Sequence, residues 1–419
     1  MKKLLCLMLT AMCAGLNAQN FTPGKPAENG MSPERLGRVD NMINDLITKK
    51  RIPGAVVFVA RNGKVVYHKA YGYSDAEKQV AMKKDDIFRI ASQSKAVTSL
   101  AVMMLYEEGL LSLDEPISKY IPEFKNPKVL VSVKWRDTTY TTTPAKSEIT
   151  IRQLLTHTSG IDYAQIGNQE LRAIYAKAGV PSGIGNDNMV LGDKIKILGG
   201  LPLRHNPGEA YTYSLSIDVL GYLVEILSGK SLDEFFRTRI FQPLGMNDTY
   251  FYLPKEKHAR LVGLYQSAPP APLLRLKQSI NDAVNPDYPT LPGKYYSGGA
   301  GLSSSIEDYA KFLQMFLNKG ELNGVRILSR KTIEMMMTNQ TQPPITNQVG
   351  LGFGLETDKN DYLSPVSIGT FSWGGAFNTQ YWADPKEKIV GLIYTNMYAS
   401  PGLNTGDRFK TLVYQAIVD

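Results

Sequence analysis

Residues 54–75, GAVVFVARNGKVVYHKAYGYSD, decide what kind of fold this chain can adopt. Two runs rich in β-branched and aromatic residues flank the dipeptide Asn62-Gly63, which suits the positive φ angles of a two-residue type I′ turn. The stretch therefore predicts a β-hairpin. Strand patterns return after about Gly350, in GLGFGLE, SIGTFSWGG, NTQYWADP and KIVGLIYTN. The simplest assembly is one antiparallel sheet built from both ends of the chain, with helices beside it.

Between these two ends the pattern becomes helical. Apolar residues at helical spacing predict helices in YSLSIDVLGYLVEILSG and SSIEDYAKFLQMFLNKG, which end at Gly229 and Gly320. We therefore predict an α/β (α+β) fold in which a mainly helical domain, residues 92–339, is inserted into a sheet domain, residues 32–91 with 340–419. A cleft between two such domains is a usual place for a small-molecule site, and we expect the active site there.

The N-terminus, MKKLLCLMLTAMCAGLNAQ, has the features of a bacterial export signal. Lys2 and Lys3 precede an apolar run that is too short to span a bilayer as a helix, and Ala18 suits a cleavage site. Residues 1–18 are therefore predicted to be a signal peptide and residues 19–31 a linker, which implies a periplasmic or secreted protein. No later stretch approaches the ~18 continuous apolar residues of a membrane-spanning helix, so no integral membrane segment is expected.

Cysteine content and charge narrow the class of protein further. Both cysteines, Cys6 and Cys13, lie inside the predicted signal, so the mature chain would have no disulfide, catalytic thiol or cysteine-ligated zinc. The formal net charge of +8 is scattered along the chain and is not concentrated in a basic run with interleaved aromatic residues. We therefore expect no nucleic-acid partner. The sequence leaves the oligomeric state open.

The tetrapeptide Ser-Gln-Ser-Lys, residues 92–95, stands where an apolar helical run begins. Ser92 and Lys95 are three residues apart, so a helix would place both on one face. A serine hydroxyl becomes a good nucleophile only when a neighbouring base accepts its proton, and a helix N-terminus favours developing negative charge. The pair fits a nucleophile and its base, but it also fits a helix cap beside a solvated lysine. The tetrapeptide alone does not decide between them.

The histidines indicate no competing catalytic or metal site. The chain has no Gly-x-Ser-x-Gly motif and no His-x-x-x-His spacing, so neither an elbow-type serine triad nor a zinc site is indicated. His157, in LLTHTSG, is interpreted as a residue that holds a loop by hydrogen bonds. We expect neither a metal nor an organic cofactor.

Five blocks, in the same order along the chain, extend the argument beyond Ser92: SQSK, LLTHTSGI, PGEAYTYSLSIDVLGYLVE, GGAGLSSSIEDYAKF and WGGAFNTQYWADP. Together they resemble the serine hydrolases related to class C β-lactamases, DD-peptidases and family VIII esterases, over residues 32–419. The resemblance implies a β-lactamase/transpeptidase-like fold. It also implies that Ser92 is acylated, that Lys95 is its paired lysine, and that Tyr213 relays the proton to the leaving group.

The resemblance places the third motif of the family at Trp373, Gly374 and Gly375. It further implies an oxyanion hole formed by the backbone N–H groups of Ser92 and Ala376. True class C β-lactamases have lysine where this chain has Trp373. A neutral indole cannot make the charge-assisted contact that a lysine would offer to a substrate carboxylate.

A second departure concerns Leu215, which replaces the asparagine of the usual Tyr-x-Asn motif and can make only apolar contacts. Both departures resemble the esterase branch of the family. Aromatic residues, Tyr296 and Phe377 with Tyr295 and Phe371, could wall an apolar acyl pocket, although core packing also explains some of them. The candidate substrate-binding residues are Trp373, Gly374, Gly375, Leu215, Tyr296 and Phe377.

Three hypotheses follow for the function. The first is an exported serine hydrolase that cleaves esters through an acyl-enzyme on Ser92. The second keeps this chemistry but takes an amide, as a D-amino-acid peptidase, an amidase or a weak β-lactamase, with an arginine such as Arg204 supplying the missing positive charge. The third is a catalytically silent binding protein on the same fold. The first two imply a small-molecule ester or amide as the partner.

Overall fold

The structure is a computed structural model, and it describes residues 21–185, 188–267, 272–277 and 285–419. The predicted signal peptide, residues 1–18, lies outside the described residues, as do the first two residues of the predicted linker.

The described strands fall mostly near the two ends of the chain. They are β1 (Thr22–Pro23), β2 (Gly54–Arg61), β3 (Lys64–Asp75), β4 (Val80–Ala81), β5 (Ile87–Arg89), β6 (Lys128–Lys134), β7 (Thr139–Pro144), β8 (Tyr265–Gln266), β9 (Leu274–Arg275), β10 (Ser303–Ser305), β11 (Glu321–Leu322), β12 (Val325–Arg326), β13 (Gly354–Leu355), β14 (Phe371–Gly375), β15 (Thr379–Asp384) and β16 (Ile389–Tyr394).

The described helices occupy mainly the middle of the chain. They are α1 (Pro33–Thr48), α2 (Ser94–Glu107), α3 (Ile151–Leu155), α4 (Gln169–Lys177), α5 (Leu191–Gly199), α6 (Ser216–Ser228), α7 (Leu232–Phe236), α8 (Gln242–Leu244), α9 (Ile306–Leu317), α10 (Arg330–Met336) and α11 (Thr405–Tyr414). In the part of the chain that the structure describes, no helix has the length and apolar character needed to cross a bilayer.

The main sheet is built from both ends of the chain, and this confirms the predicted fold class. Its strand order is β1-β3-β2-β16-β15-β14-β13, with β4 paired to β3. The pairs are antiparallel except for β1 with β3. The N-terminal hairpin β2–β3 thus meets the C-terminal meander β14–β15–β16 at the centre of the sheet. Its turn has positive φ at both Asn62 (56°) and Gly63 (72°), as a type I′ turn requires.

Both faces of the sheet are covered, which explains the continuous apolar run in β2. Successive side chains of a strand point to opposite faces of the sheet. Because both faces are covered, every residue of β2 is buried. Val57 and the other side chains on its face of the sheet pack with residues of α1 and α11 such as Val39 and Phe409. The other face, with Phe58, joins a large core cluster that continues into the helical middle, for example to Leu100 of α2.

Helix α9 connects the two predicted domains. It lies in the segment 92–339, predicted to be the inserted domain, yet it packs against β2, β15 and β16 of the sheet. Its Phe316 also contacts the rings of Phe353 and Phe371 at centroid distances of 5.0 and 5.8 Å. The domain division itself stays a prediction, but part of the helical segment covers the sheet.

Candidate active site

Ser92 lies in a tight 3-10 turn, Ala91–Gln93, between β5 and the start of α2. Ala91 has a φ of 43°, a left-handed conformation that is unusual for alanine and that the surroundings must hold in place. Ser94 supplies part of that support: its Oγ donates to Ala91 O at 2.7 Å and accepts from Leu302 N–H at 3.0 Å. The turn leaves Ser92 half-buried while its neighbours are buried.

The amino group of Lys95 lies beside Ser92 in a buried position. Lys95 is only 2% exposed, and its Nζ is 3.3 Å from Ser92 Oγ. The same nitrogen donates to Gly299 O at 2.7 Å and lies 3.3 Å from Tyr163 OH. Three acceptors match the three protons of an ammonium group, and a neutral amine could instead accept a proton from Ser92. The sequence prediction that Ser92 and Lys95 share one face agrees with this geometry.

Tyr213 approaches Ser92 from the loop that precedes α6. Its hydroxyl donates to Ser92 Oγ at 2.6 Å. Its ring lies 4.9 Å from the ring of His157 and 5.5 Å from that of Tyr163, and Lys95 Nζ lies 4.6 Å from its centroid. The structure therefore brings together Ser92, Lys95 and Tyr213, the three residues that the sequence singled out as catalytic.

His157 stays neutral beside this group. Its burial, with the charge of Lys95, holds the pKa of its imidazole well below the usual range. Its Nδ1 accepts from the Ser214 N–H at 3.3 Å, and its carbonyl accepts from Thr212 N–H at 2.8 Å. These bonds agree with the interpretation of His157 as a residue that holds a loop.

Strand β14 brings the third motif against the turn that carries Ser92. The indole of Trp373 lies 6.0 Å from the Tyr213 ring and is stacked on His157 at 6.5 Å. Gly375 packs so tightly on Ile90 that an added Cβ would overlap the Ile90 carbonyl oxygen. Ala376 follows in an exposed turn. Trp373 and the backbone near Ala376 thus lie at the site.

The other predicted substrate-binding residues occupy more buried or more distant positions. Leu215 and Phe377 are buried in two different apolar clusters. The ring of Tyr296 packs on Phe251 and Tyr252 and makes no described contact with the catalytic group. Phe371 lies in the core. The predicted substrate contacts of Leu215, Tyr296 and Phe377 therefore stay predictions without support from contacts at the nucleophile.

Sequence reasoning did not single out Tyr163 or Gly299, which both contact Lys95 Nζ. Burial raises the pKa of Tyr163 well above its usual range, and the nearby Tyr213 and Asp218 add to the effect, so its phenol stays neutral. The signal was present, because Tyr163 is the second residue after the block LLTHTSGI and Gly299 lies inside the block GGAGLSSSIEDYAKF. Within the described ranges, no group of three His, Cys, Asp or Glu residues could hold a metal ion.

Comparison with known proteins identifies the family to which this chain belongs. The Beta-lactamase family matches residues 39–415 of this chain. Esterase EstB of Burkholderia gladioli is 30% identical over 373 residues, which cover 86% of this chain and 90% of that protein. Protein Rv1367c of Mycobacterium tuberculosis (strain ATCC 25618 / H37Rv) is 34% identical over 359 residues, which cover 82% of this chain and 85% of that protein.

A solved structure agrees with this assignment. EstCE1, described as a hydrolase with promiscuous acyltransferase activity, superposes with a TM-score of 0.77 at 27% identity, and the match covers 92% of this chain and 99% of that chain. The chain belongs to the β-lactamase family, and it is a serine hydrolase of that family.

Proposed function

We propose that this protein hydrolyses small-molecule carboxylic esters through an acyl-enzyme on Ser92. One observation carries the proposal: Ser92 Oγ accepts a 2.6 Å hydrogen bond from Tyr213 and lies 3.3 Å from the buried amino group of Lys95. A serine in this position has two partners able to move its proton, which a structural serine does not need. The similarity to esterase EstB supports the ester as the substrate class.

The reaction would run in two halves. Ser92 Oγ attacks the ester carbonyl carbon, and its proton passes to the Lys95–Tyr213 pair. The backbone N–H groups of Ser92 and Ala376 stabilise the negative oxygen of the tetrahedral intermediate. The bond to the alcohol then breaks, and the alcohol leaves with the proton from the pair. Water next attacks the acyl group on Ser92, gives a proton back to the serine through the same pair, and releases the carboxylic acid.

The amide and β-lactam alternatives need a cation that binds a substrate carboxylate. Arg204, the candidate for that role, is not a free cation in the structure. Its guanidinium is 3.5 Å from the buried carboxylate of Asp162, which partly neutralises it. Trp373 occupies the place of the third-motif lysine. The amide proposal therefore requires a further cationic group at the site, and the ester proposal does not.

The test is hydrolysis of p-nitrophenyl butyrate by the wild type and by Ser92→Ala. The wild type should turn over, and the variant should lose at least about 10³-fold in kcat, because the covalent route and its acid–base catalysis are both removed. Ser112→Ala, at an exposed position outside all five motif blocks, serves as a control for the loss of a serine hydroxyl. A Ser92→Ala variant near the wild-type rate would contradict the proposal. Turnover of labelled penicillin but not of esters would favour the β-lactam alternative.

Export is a second part of the proposal, and it rests on the N-terminal sequence alone. Lys2 and Lys3 before a short apolar run, with Ala18 at the cleavage site, favour removal of residues 1–18 during transport. In bacteria that express the full chain, we expect the mature protein outside the cytoplasm with Gln19 as its first residue, as N-terminal sequencing would show. An uncleaved protein confined to the cytoplasm would contradict the export proposal and leave the enzymatic one intact.

A further inference from the structure

A buried carboxyl group, that of Asp218 on α6, lies behind Lys95, and the reaction described above does not use it. Asp218 is fully buried. Its Oδ1 accepts from the Ser297 hydroxyl at 2.5 Å and from the Gly299 N–H at 3.3 Å. Its Oδ2 has no hydrogen-bond partner in the part of the chain that the structure describes. A buried carboxyl group with one unpaired oxygen is costly, so a local compensation is expected.

A continuous chain of hydrogen bonds joins this carboxyl group to Lys95. Lys95 Nζ donates to Gly299 O at 2.7 Å, and the N–H of Ala300, in the same peptide unit, donates to Ser297 Oγ at 3.1 Å. The Ser297 hydroxyl then donates to Asp218 Oδ1. Every donor in the chain points away from Lys95 and toward Asp218. In a buried chain of this polarity each bond strengthens the next, and the charges at its two ends stabilise each other.

The glycines at 298 and 299 allow this approach. A Cβ at Gly299 would overlap Asp218 Oδ2, and a Cβ at Gly298 would lie 2.9 Å from Thr98 Oγ1 and 3.0 Å from Ile217 O. Only residues without a side chain fit between α2 and α6 here. The backbone of the turn can therefore approach Asp218 closely enough to take part in the chain that connects it to Lys95.

Among the described titratable and charged groups around Asp218 and Lys95, the cation that faces Asp218 is Lys95. Besides Lys95, Tyr163 and Tyr295 lie close enough to interact electrostatically with Asp218, and His157 and Tyr213 lie beside Lys95. The pKa values of His157, lowered, and of Tyr163 and Tyr295, raised, keep all three neutral.

Burial raises the pKa of Asp218 above its usual range, although the Ser297 hydrogen bond, the charge of Lys95 and the Gly299 N–H oppose that rise. Two of the groups that oppose the rise belong to the hydrogen-bonded chain: Lys95 at its far end and Ser297 within it.

We propose that Asp218 is a positioning residue that acts on Lys95 through Ser297 and the Gly299–Ala300 peptide. Its negative charge attracts the amino group of Lys95 and holds that group against Ser92. This inference rests on the proposed role of Ser92 as nucleophile. It adds a residue that sets the pH range in which the Lys95–Tyr213 pair can accept the proton of Ser92.

A purely structural role for Asp218, in which it only anchors the Ser297–Gly299 turn, predicts a different pH dependence. Loss of an anchor lowers the rate at all pH values alike. Loss of the negative charge makes a neighbouring lysine or tyrosine give up its proton more easily, so the acid-side midpoint of the pH profile moves to lower pH. The sign is the same whether Lys95 or Tyr213 is the base.

The experiment measures the rate at which a fluorophosphonate probe labels Ser92 between pH 5 and pH 10, in the full-length protein. The serine oxygen bonds to phosphorus, fluoride leaves, and the serine proton goes to the Lys95–Tyr213 pair, so the assay does not require an ester substrate. For Asp218→Asn we expect the acid-side midpoint to fall by about one pH unit, the lower end of the shift caused by a nearby opposite charge. Ser297→Ala breaks the chain but keeps the carboxyl group, and should shift the midpoint in the same direction by less.

Thr98→Val is the matched control. Thr98 Oγ1 donates to Gly298 O at 2.7 Å, so this variant loosens the same turn without touching the chain from Lys95 to Asp218. It should lower the labelling rate, if at all, without moving the midpoint. If Asp218→Asn fails to fold, Ser297→Ala provides the test.

The possible outcomes separate this inference from the proposed function. Midpoints of Asp218→Asn and Ser297→Ala equal to that of the wild type would overturn the role of Asp218 while Ser92 remains the nucleophile. Wild-type labelling that is lost in Ser92→Ala, without ester turnover, would reject the ester substrate and leave the inference testable. Absence of labelling in the wild type would overturn both.

Discussion

One glycine, Gly375, lets the third motif lie against the turn that carries the nucleophile. A Cβ at this position would overlap both the carbonyl oxygen of Ile90 and the hydroxyl of Thr379. Ile90 immediately precedes the Ser92 turn, so a displacement at Gly375 is passed to the nucleophile. Gly374 has more room, because its Cβ would lie 3.6 Å from Thr379 O, an ordinary contact.

Gly375→Ala should therefore cost both activity and stability. We expect kcat to fall by about 10²-fold, since a displacement near 1 Å at a reacting atom has effects of that size, and the free energy of unfolding to fall by about 1–3 kcal/mol through overpacking. Ester turnover and urea denaturation measure the two effects. Gly374→Ala is the matched control for stability and should keep the wild-type denaturation midpoint. If Gly375→Ala keeps both rate and stability, the backbone contact with Ile90 does not position Ser92.

At the scale of single elements, the sequence predicted best where the signal is local. The Asn62-Gly63 turn and its two strands were predicted because turn chemistry and β-branched runs coincide there. Helix α1 begins at a local signal of the same kind, because Ser32 Oγ accepts from Arg35 N–H and proline stands at the first helical position. Helix α6 ends before Gly229, whose φ of 67° only glycine adopts at little cost.

A hairpin that was not predicted lies inside the segment predicted to be mainly helical. Strands β6 and β7 pair with each other; β6 has valine at the alternate positions 129, 131 and 133, and β7 is rich in threonine. The alternation was a usable signal. The hairpin is small and its side chains are largely exposed or half-buried, so it lacks the strong apolar run that marks the strands of the main sheet.

In the active site, too, the contact between residues close in sequence could be predicted, and the contacts between distant residues could not. Ser92 and Lys95 are three residues apart, so helical geometry alone places them together, and Tyr213 came from the family resemblance. Tyr163 and Gly299 reach Lys95 from 68 and 204 residues away in the sequence. No periodicity reports such a contact, because it depends on how α2, α6 and the loops between them pack. Asp218 was overlooked for that reason, although it lies inside a quoted block.

At the scale of the whole molecule, one core joins the parts that the sequence divided into two domains. The large core cluster contains Phe58 and Tyr394 of the sheet together with Leu100 of α2 and Leu220 of α6. Helices α1 and α11 cover the opposite face of the same sheet. A disturbance at the C-terminal helix should therefore reach the active site through the sheet, although α11 supplies no catalytic side chain.

This arrangement predicts a single cooperative unfolding transition. Phe409→Ala on α11 removes a fully buried ring that lies 5.5 Å from Trp382, and should cost about 3–5 kcal/mol. In urea, far-UV circular dichroism and fluorophosphonate labelling of Ser92 should lose their signals at one shared midpoint, which moves to lower urea in the variant. Tyr362→Ala, at a position that is 81% exposed, is the control and should leave both midpoints unchanged. Two separated midpoints in the wild type would instead show that the sheet and the helical segment unfold as independent domains.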